Sequence, residues 1–167
     1  MSYHIIEKPA FHIVGIRMNL VDDMEENQKN VPLFWEQALN DRRFSELCEL
    51  NNAAPNGILG ISVYENPENI FYYIATSSTN KAPDGICEYK IPASTWVVFE
   101  NDGYFKENVQ SVFRRFYTEW LPFSGYEYAG LPDIEVYPIQ NKTVQSGHSE
   151  VWIAIRKEKE NENGVSN

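Results

Sequence analysis

Residues 3–20, YHIIEKPAFHIVGIRMNL, mix β-branched and aromatic residues around Pro9. Proline cannot donate to a ladder, so the pattern predicts a strand that kinks at Pro9 or starts properly after it. Residues 21–29 are acidic and polar and read as a loop. NVPLFWEQALNDRRFSELCEL, from Asn30, has helical character. Asn30 can cap it, Pro32 falls in its first turn, and Phe34, Trp35, Ala38, Leu39 and Leu47 supply an apolar side. ILGISVY and IFYYIAT, joined by ENPEN, read as a hairpin.

The order then restarts. EYKIPASTWVVFEND is a strand with Pro92 in its middle. YFKENVQSVFRRFYTEWL is amphipathic, with Phe105, Val109, Val112, Phe113, Phe116 and Trp120 three and four residues apart. Lys106, Glu107, Arg114, Arg115 and Glu119 take its other side. PFSGYEYAGLP reads as a loop, and DIEVYPI and SEVWIAI as two closing strands. PAFHIVGI matches PASTWVVF, GISVYENP matches DIEVYPIQ, and FYYIAT matches EVWIAI, in the same order. These are two copies of a strand–helix–strand–strand unit, neither of which can bury its sheet and helix alone. The expected fold is α+β, a mainly antiparallel sheet with two main helices and pseudo-twofold symmetry. One domain is expected over 1–158, with halves of about 1–82 and 83–158, and a disordered tail over 159–167.

Side chains of a strand alternate between its faces. Val151, Ile153 and Ile155 share one face of the last strand, opposite Glu150, Trp152 and Ala154. Ile134 and Val136 oppose Glu135 and Tyr137, and Ile61 and Val63 oppose Ser62 and Tyr64. The expectation is that the aliphatic sides of all three strands form one helix-covered face. Glu150, Trp152, Tyr137 and Tyr64 would then share the opposite face, as an aromatic groove with a carboxylate to anchor a cation.

Composition narrows the function classes. The 167 residues are 43% hydrophobic with a formal net charge of −10, which suits a globular chain and argues against direct nucleic-acid binding. Cys48 and Cys87 lack metal or redox spacing and read as two buried or half-buried thiols. MSYHIIEKPAF has no basic and apolar leader pattern, and no apolar run reaches a membrane span, so a cytoplasmic protein without membrane contact is expected. His4, His12 and His148 have no ligand spacing, His12 reads as a satisfied strand residue, and nucleotide-loop and nucleophile-elbow motifs are missing. No metal and no cofactor are expected.

EKPAFHIVGI, YKIPASTWVVFENDG, FYTEWLPFSGYE, PDIEVYP and SEVWIAIRK together resemble the GyrI-like effector-binding domain. That domain occurs in AraC-type and MerR-type transcription regulators and also alone. The resemblance covers about residues 3–157. It implies a duplicated strand–helix–strand–strand fold that binds amphipathic, often cationic and aromatic small molecules in a cleft between its halves. It also implies a glutamate anchor on the last strand, at Glu150, with Tyr137 and Trp152 in closely matching stretches. Trp35 and Trp96 join them from the helix and strand expected to flank the cleft.

Two departures touch the cleft rim: IQNKTVQSGH carries Lys142 where an acidic loop is usual, and Ala154 replaces a frequent proline. The reading is a stand-alone binding domain for drug or xenobiotic sensing, sequestration or transcription-linked regulation. One alternative, implied by the resemblance, is a hydrolase of strained electrophiles using Glu150 with Tyr137 or Tyr126. A second is a protein-interaction inhibitor acting through its acidic surface. Homodimerisation and a separate partner regulator chain are left open.

Overall fold

The computed structural model describes residues 2–102, 109–141, 143–144 and 147–159. Phe105, Lys106, Glu107, Lys142 and the tail beyond residue 159 lie outside them.

Pro9 does more than kink a strand. It separates β1 (Tyr3–Lys8) from β2 (Phe11–Leu20), and the two have different partners. β1 pairs with β6 (Ser94–Asp102), whereas β2 pairs with β4 (Asn69–Ser77) and with β5 (Cys87–Ile91). With β3 (Ile58–Asn66), β8 (Asp133–Tyr137) and β11 (His148–Lys157), the antiparallel path reads β1-β6-β11-β8-β3-β4-β2-β5. Exchanging β1 with β5, β2 with β6, β4 with β11 and β3 with β8 reverses this order onto itself. The pseudo-twofold axis therefore runs between β3 and β8, as the internal repeat predicts, and the α+β fold holds.

Each half lends its first strand to the other half. Pro9–Ala10 leads from β1 at one end of the path to β2 near the other end, and Pro92–Ala93 does the same from β5 to β6. Two linking residues span at most about 11 Å between the strand ends. The sheet must therefore curl until its two ends approach, although among the described residues β1 and β5 do not pair. The inner, helix-free face of the curl is a core of its own. Ile13, Leu59, Ile61, Trp96, Val98, Ile134 and Ala154 are buried there without a helix over them.

The outer face carries two helical layers. The first begins earlier than expected. Asp23 accepts from the Glu26 backbone N–H at 3.3 Å and caps α1 (Met24–Leu39), so the polar stretch read as a loop is mostly helix and Pro32 lies inside it. Asp41 then caps α2 (Arg42–Leu50), accepting from the Arg43 N–H at 2.9 Å, and splits the expected single helix in two. Ala38, Leu47 and Cys48 pack on Ile16, Ile58, Tyr72 and Ile74.

The second layer is α3 (Val109–Arg115), a π-helical turn (Phe116–Trp120) and the short α4 (Leu121–Ser124). The Leu121 N–H reaches back five residues to the Phe116 carbonyl, and Pro122 has no N–H to resume the four-residue ladder. Val112 and Phe116 cover Val97, Phe99, Ile153 and Ile155. Within the stretch read as a loop, β7 (Tyr126–Tyr128) pairs with the end of β11. A separate two-stranded ribbon joins β9 (Ile139–Gln140) to β10 (Thr143–Val144). No helix among the described residues is long and apolar enough to cross a membrane.

Candidate functional site: a glutamate on the helix-bearing face of the sheet

Register decides which side chains can meet. Across β11 and β8, Glu150 pairs with Val136, Val151 with Glu135 and Trp152 with Ile134. Across β3 and β8, Leu59 pairs with Val136, Gly60 with Glu135, Ile61 with Ile134 and Ser62 with Asp133. Paired residues of antiparallel strands point to the same face. The aliphatic sides of β3 and β8 therefore join Trp152 and Ala154 inside the curl. Glu135, Tyr137, Asp133, Ser62 and Tyr64 join Val151 on the helix-bearing face.

This corrects the single groove expected from alternation. On β11 the expected faces hold: Val151, Ile153 and Ile155 meet α3, and Trp152 does not. On β3 and β8 they are reversed, because a sheet buried on both faces offers aliphatic residues to each. Trp96 and Trp152 lie inside the curl with ring centroids 6.0 Å apart, and the Trp152 Nε1–H donates to Glu150 at 3.2 Å. Trp35, Tyr137 and Tyr64 lie on the outer side. Tyr126 stacks on Trp120 in the α3 layer, at 6.0 Å. Glu150, Tyr137 and Tyr126 thus do not form one catalytic constellation.

The outer side has a constellation that alternation leaves without a role. Glu135 sits midway along β8, next to the pseudo-twofold axis. Its Oε2 accepts from the Tyr72 hydroxyl at 2.6 Å, and its Oε1 accepts from the Tyr137 hydroxyl at 2.9 Å. Trp35 of α1 donates from Nε1 to the Tyr72 oxygen at 2.9 Å and sets its ring edge-on to Tyr137 at 5.3 Å. Burial, then the neighbouring carboxylate, push the Tyr72 hydroxyl well above its ordinary value, and Tyr137 moves the same way for the same reasons. Both stay donors at neutral pH.

The floor of this site is Gly60. A Cβ there would lie 2.2 Å from the Tyr72 hydroxyl oxygen, 2.6 Å from Glu135 Oε2 and 3.2 Å from Trp35 Cζ2. Any side chain at position 60 would occupy the space the carboxylate and phenol now use. A glycine between Leu59 and Ile61 in an otherwise apolar strand is the sequence signal for such a close approach.

Next to it a cavity of about 360 Å³ is lined by Ser62, Tyr64, Ile70, Tyr128, Leu131 and Asp133, among others. The Tyr128 hydroxyl lies 3.2 Å from Asp133 Oδ1 and 3.3 Å from the Leu131 carbonyl. Burial pushes the Asp133 carboxyl up to about 7, against the pull of the Tyr128 hydrogen bond. Tyr64 is 59% exposed and stands at the rim.

Other titratable side chains have structural partners. The His12 Nδ1 is 2.8 Å from the Ser78 carbonyl, and its Nε2 is 3.5 Å from Glu88, as its reading as a satisfied strand residue predicts. His148 contacts Asp102 across the β6–β11 pair. Cys48 is buried and Cys87 is exposed rather than half-buried; neither forms a disulfide. No group of three metal-ligating side chains occurs among the described residues.

The fold and the sequence have known relatives. Residues 4–155 match the model of a family described as Cass2, integron-associated effector binding protein. SAV2435, solved bound to tetraphenylphosphonium, superposes with a TM-score of 0.77 at 21% identity, covering 93% of this chain and 94% of that one. A putative transcription regulation protein from Staphylococcus aureus MU50 gives 0.76 at 21% identity, covering 93% of this chain and 99% of that one. An integron cassette protein from Vibrio cholerae, VCH_CASS2, gives 0.59 at 20% identity over 92% of this chain and 95% of its own. No curated protein matches the sequence. These identities establish a shared fold, and the family match over nearly all of the chain goes further: the protein is a member of the Cass2 family of integron-associated effector-binding proteins.

Proposed function

We propose that the protein binds amphipathic, cationic aromatic small molecules in the outer cleft between its two helical layers, with Glu135 as the anchor for positive charge. The observation that carries this reading is the setting of Glu135. It is a carboxylate held by two phenol donors and walled by Trp35 and Tyr137 above a glycine floor. Phenol hydrogen bonds stabilise the charged carboxylate where water is scarce. Aromatic walls give an onium ion flat apolar area and attractive ring faces. Family membership and a similar fold solved with tetraphenylphosphonium support the same ligand class.

Charge alone does not supply useful affinity. Micromolar binding corresponds to about 8 kcal/mol, and aromatic burial must provide most of it. The carboxylate instead sets selectivity, because a neutral molecule of similar shape gains nothing from it. The biological role consistent with such a site is sensing or sequestration of foreign lipophilic cations, coupled to regulation through a partner chain.

Isothermal titration calorimetry with tetraphenylphosphonium and with neutral triphenylphosphine oxide tests this reading. The cation is expected to bind at least tenfold more tightly, the difference growing at low salt. Equal affinity for the two compounds would overturn it.

A further inference from the structure

The cavity beside Glu135 has a carboxylate of its own. Asp133 and Glu135 lie on the same face of β8, two residues apart, which sets their backbone positions about 7 Å apart. The Asp133 side chain opens into the cavity of about 360 Å³, a volume within the usual range for small-molecule sites. Among the described residues its only hydrogen-bond donor is Tyr128, whose single proton is contested by the Leu131 carbonyl. No cationic side chain among the described residues pairs with it. A half-buried carboxylate with one shared donor and no counter-charge is costly to ionise. An arriving cation removes that cost, and Tyr64, Tyr128 and Ile70 give it aromatic and apolar walls.

We propose that the Asp133 cavity is a second cation subsite, and that the cleft prefers flat aromatic dications whose two charges are spaced like Glu135 and Asp133. The proposal rests on the reading of Glu135 as the first anchor. A monocation satisfies Glu135 alone. A rigid dication satisfies both carboxylates in one molecule, and the second contact costs little additional ordering.

The test is calorimetric titration of methyl viologen, a planar aromatic dication, and of tetraphenylphosphonium into wild type, Asp133→Asn and Ser62→Phe. Asp133→Asn keeps the shape and the Tyr128 contact while removing the charge. It replaces a carboxyl that is costly to ionise where it sits, so the variant is expected to fold. Ser62 is an exposed position on the facing strand, and a phenyl group there fills the cavity from the other side. Both variants are expected to weaken methyl viologen at least tenfold, and Asp133→Asn to leave tetraphenylphosphonium within about threefold.

The subsite is overturned if either variant binds methyl viologen as wild type does, or if Asp133→Asn weakens both ligands equally. It is also overturned if wild type binds tetraphenylphosphonium but not the dication. If wild type instead binds methyl viologen in an Asp133-dependent way and does not bind tetraphenylphosphonium, the Glu135 reading fails and the Asp133 subsite stands.

Discussion

The Tyr72 hydroxyl donates to Oε2 of Glu135 across the axis that relates the two halves of the chain, at 2.6 Å. Tyr72 belongs to the first copy of the repeat and Glu135 to the second, so the bond ties the halves together at the proposed ligand site. The Tyr72 hydroxyl oxygen in turn accepts from the Trp35 Nε1–H at 2.9 Å. Tyr72→Phe removes a donor from a carboxylate and leaves the indole N–H without its acceptor. The expected loss of stability is about 1–3 kcal/mol, read from urea denaturation midpoints. A loss below about 0.5 kcal/mol would show that water replaces both bonds freely.

Gly60→Ala is expected to damage binding more than its size suggests. The added carbon would stand 2.2 Å from the Tyr72 hydroxyl oxygen and 2.6 Å from Glu135 Oε2, so both groups must move. Affinity for tetraphenylphosphonium should fall at least tenfold. Ala at position 62 in place of Ser, on the same face and strand, serves as the control and should change affinity less than threefold. Equal behaviour of the two variants would remove Gly60 from the site.

Asp133 gives the stability a definite pH dependence. Its carboxyl is raised from 3.8 to about 7 in the folded protein, with burial as the main cause. Between these values the folded state binds more protons than the unfolded state at this group. Its contribution is therefore fully present below about pH 4 and is lost as pH rises through about 7, on the order of 2–4 kcal/mol. Asp133→Asn should flatten that slope and be more stable than wild type above pH 7. An identical pH profile for the two proteins in chemical denaturation would contradict the raised carboxyl and its half-buried setting.

Tryptophan emission separates the two faces of the sheet. Trp35 borders the Glu135 site, whereas Trp96 and Trp152 pack against each other inside the curl. Quenching by a bound coloured cation, such as crystal violet, should fall by more than half in Trp35→Phe and change little in Trp152→Phe. The reverse pattern would place the ligand on the inner side.

The duplicated architecture was legible because its signals are local. Pro9 and Pro92, each followed by alanine, sit at equivalent turns, and each copy repeats the same order of elements. The partition of the site residues was not legible, for a physical reason. Alternation tells which side chains of one strand share a face, but not which face of the next strand adjoins it. That depends on register, and the usual tie-breaker, an aliphatic core side against a polar solvent side, fails when the sheet curls and buries both. Val136 and Glu150 therefore share a face, while Glu135 joins Val151. The early start of α1 was missed because Asp23, not Asn30, caps it, and Pro32, more than two turns further in, did not stop the helix. Gly60 was the available clue to the close approach of Tyr72 and Glu135 on the outer face.

The central claim is that Glu135, not Glu150, holds positive charge. Titrating tetraphenylphosphonium into Glu135→Gln and Glu150→Gln, each compared with wild type by calorimetry, tests it directly. The outer-cleft reading predicts at least a tenfold loss of affinity for Glu135→Gln and less than a threefold change for Glu150→Gln. Unchanged binding by Glu135→Gln, with the loss appearing in Glu150→Gln, would contradict it and move the site to the inner face of the sheet.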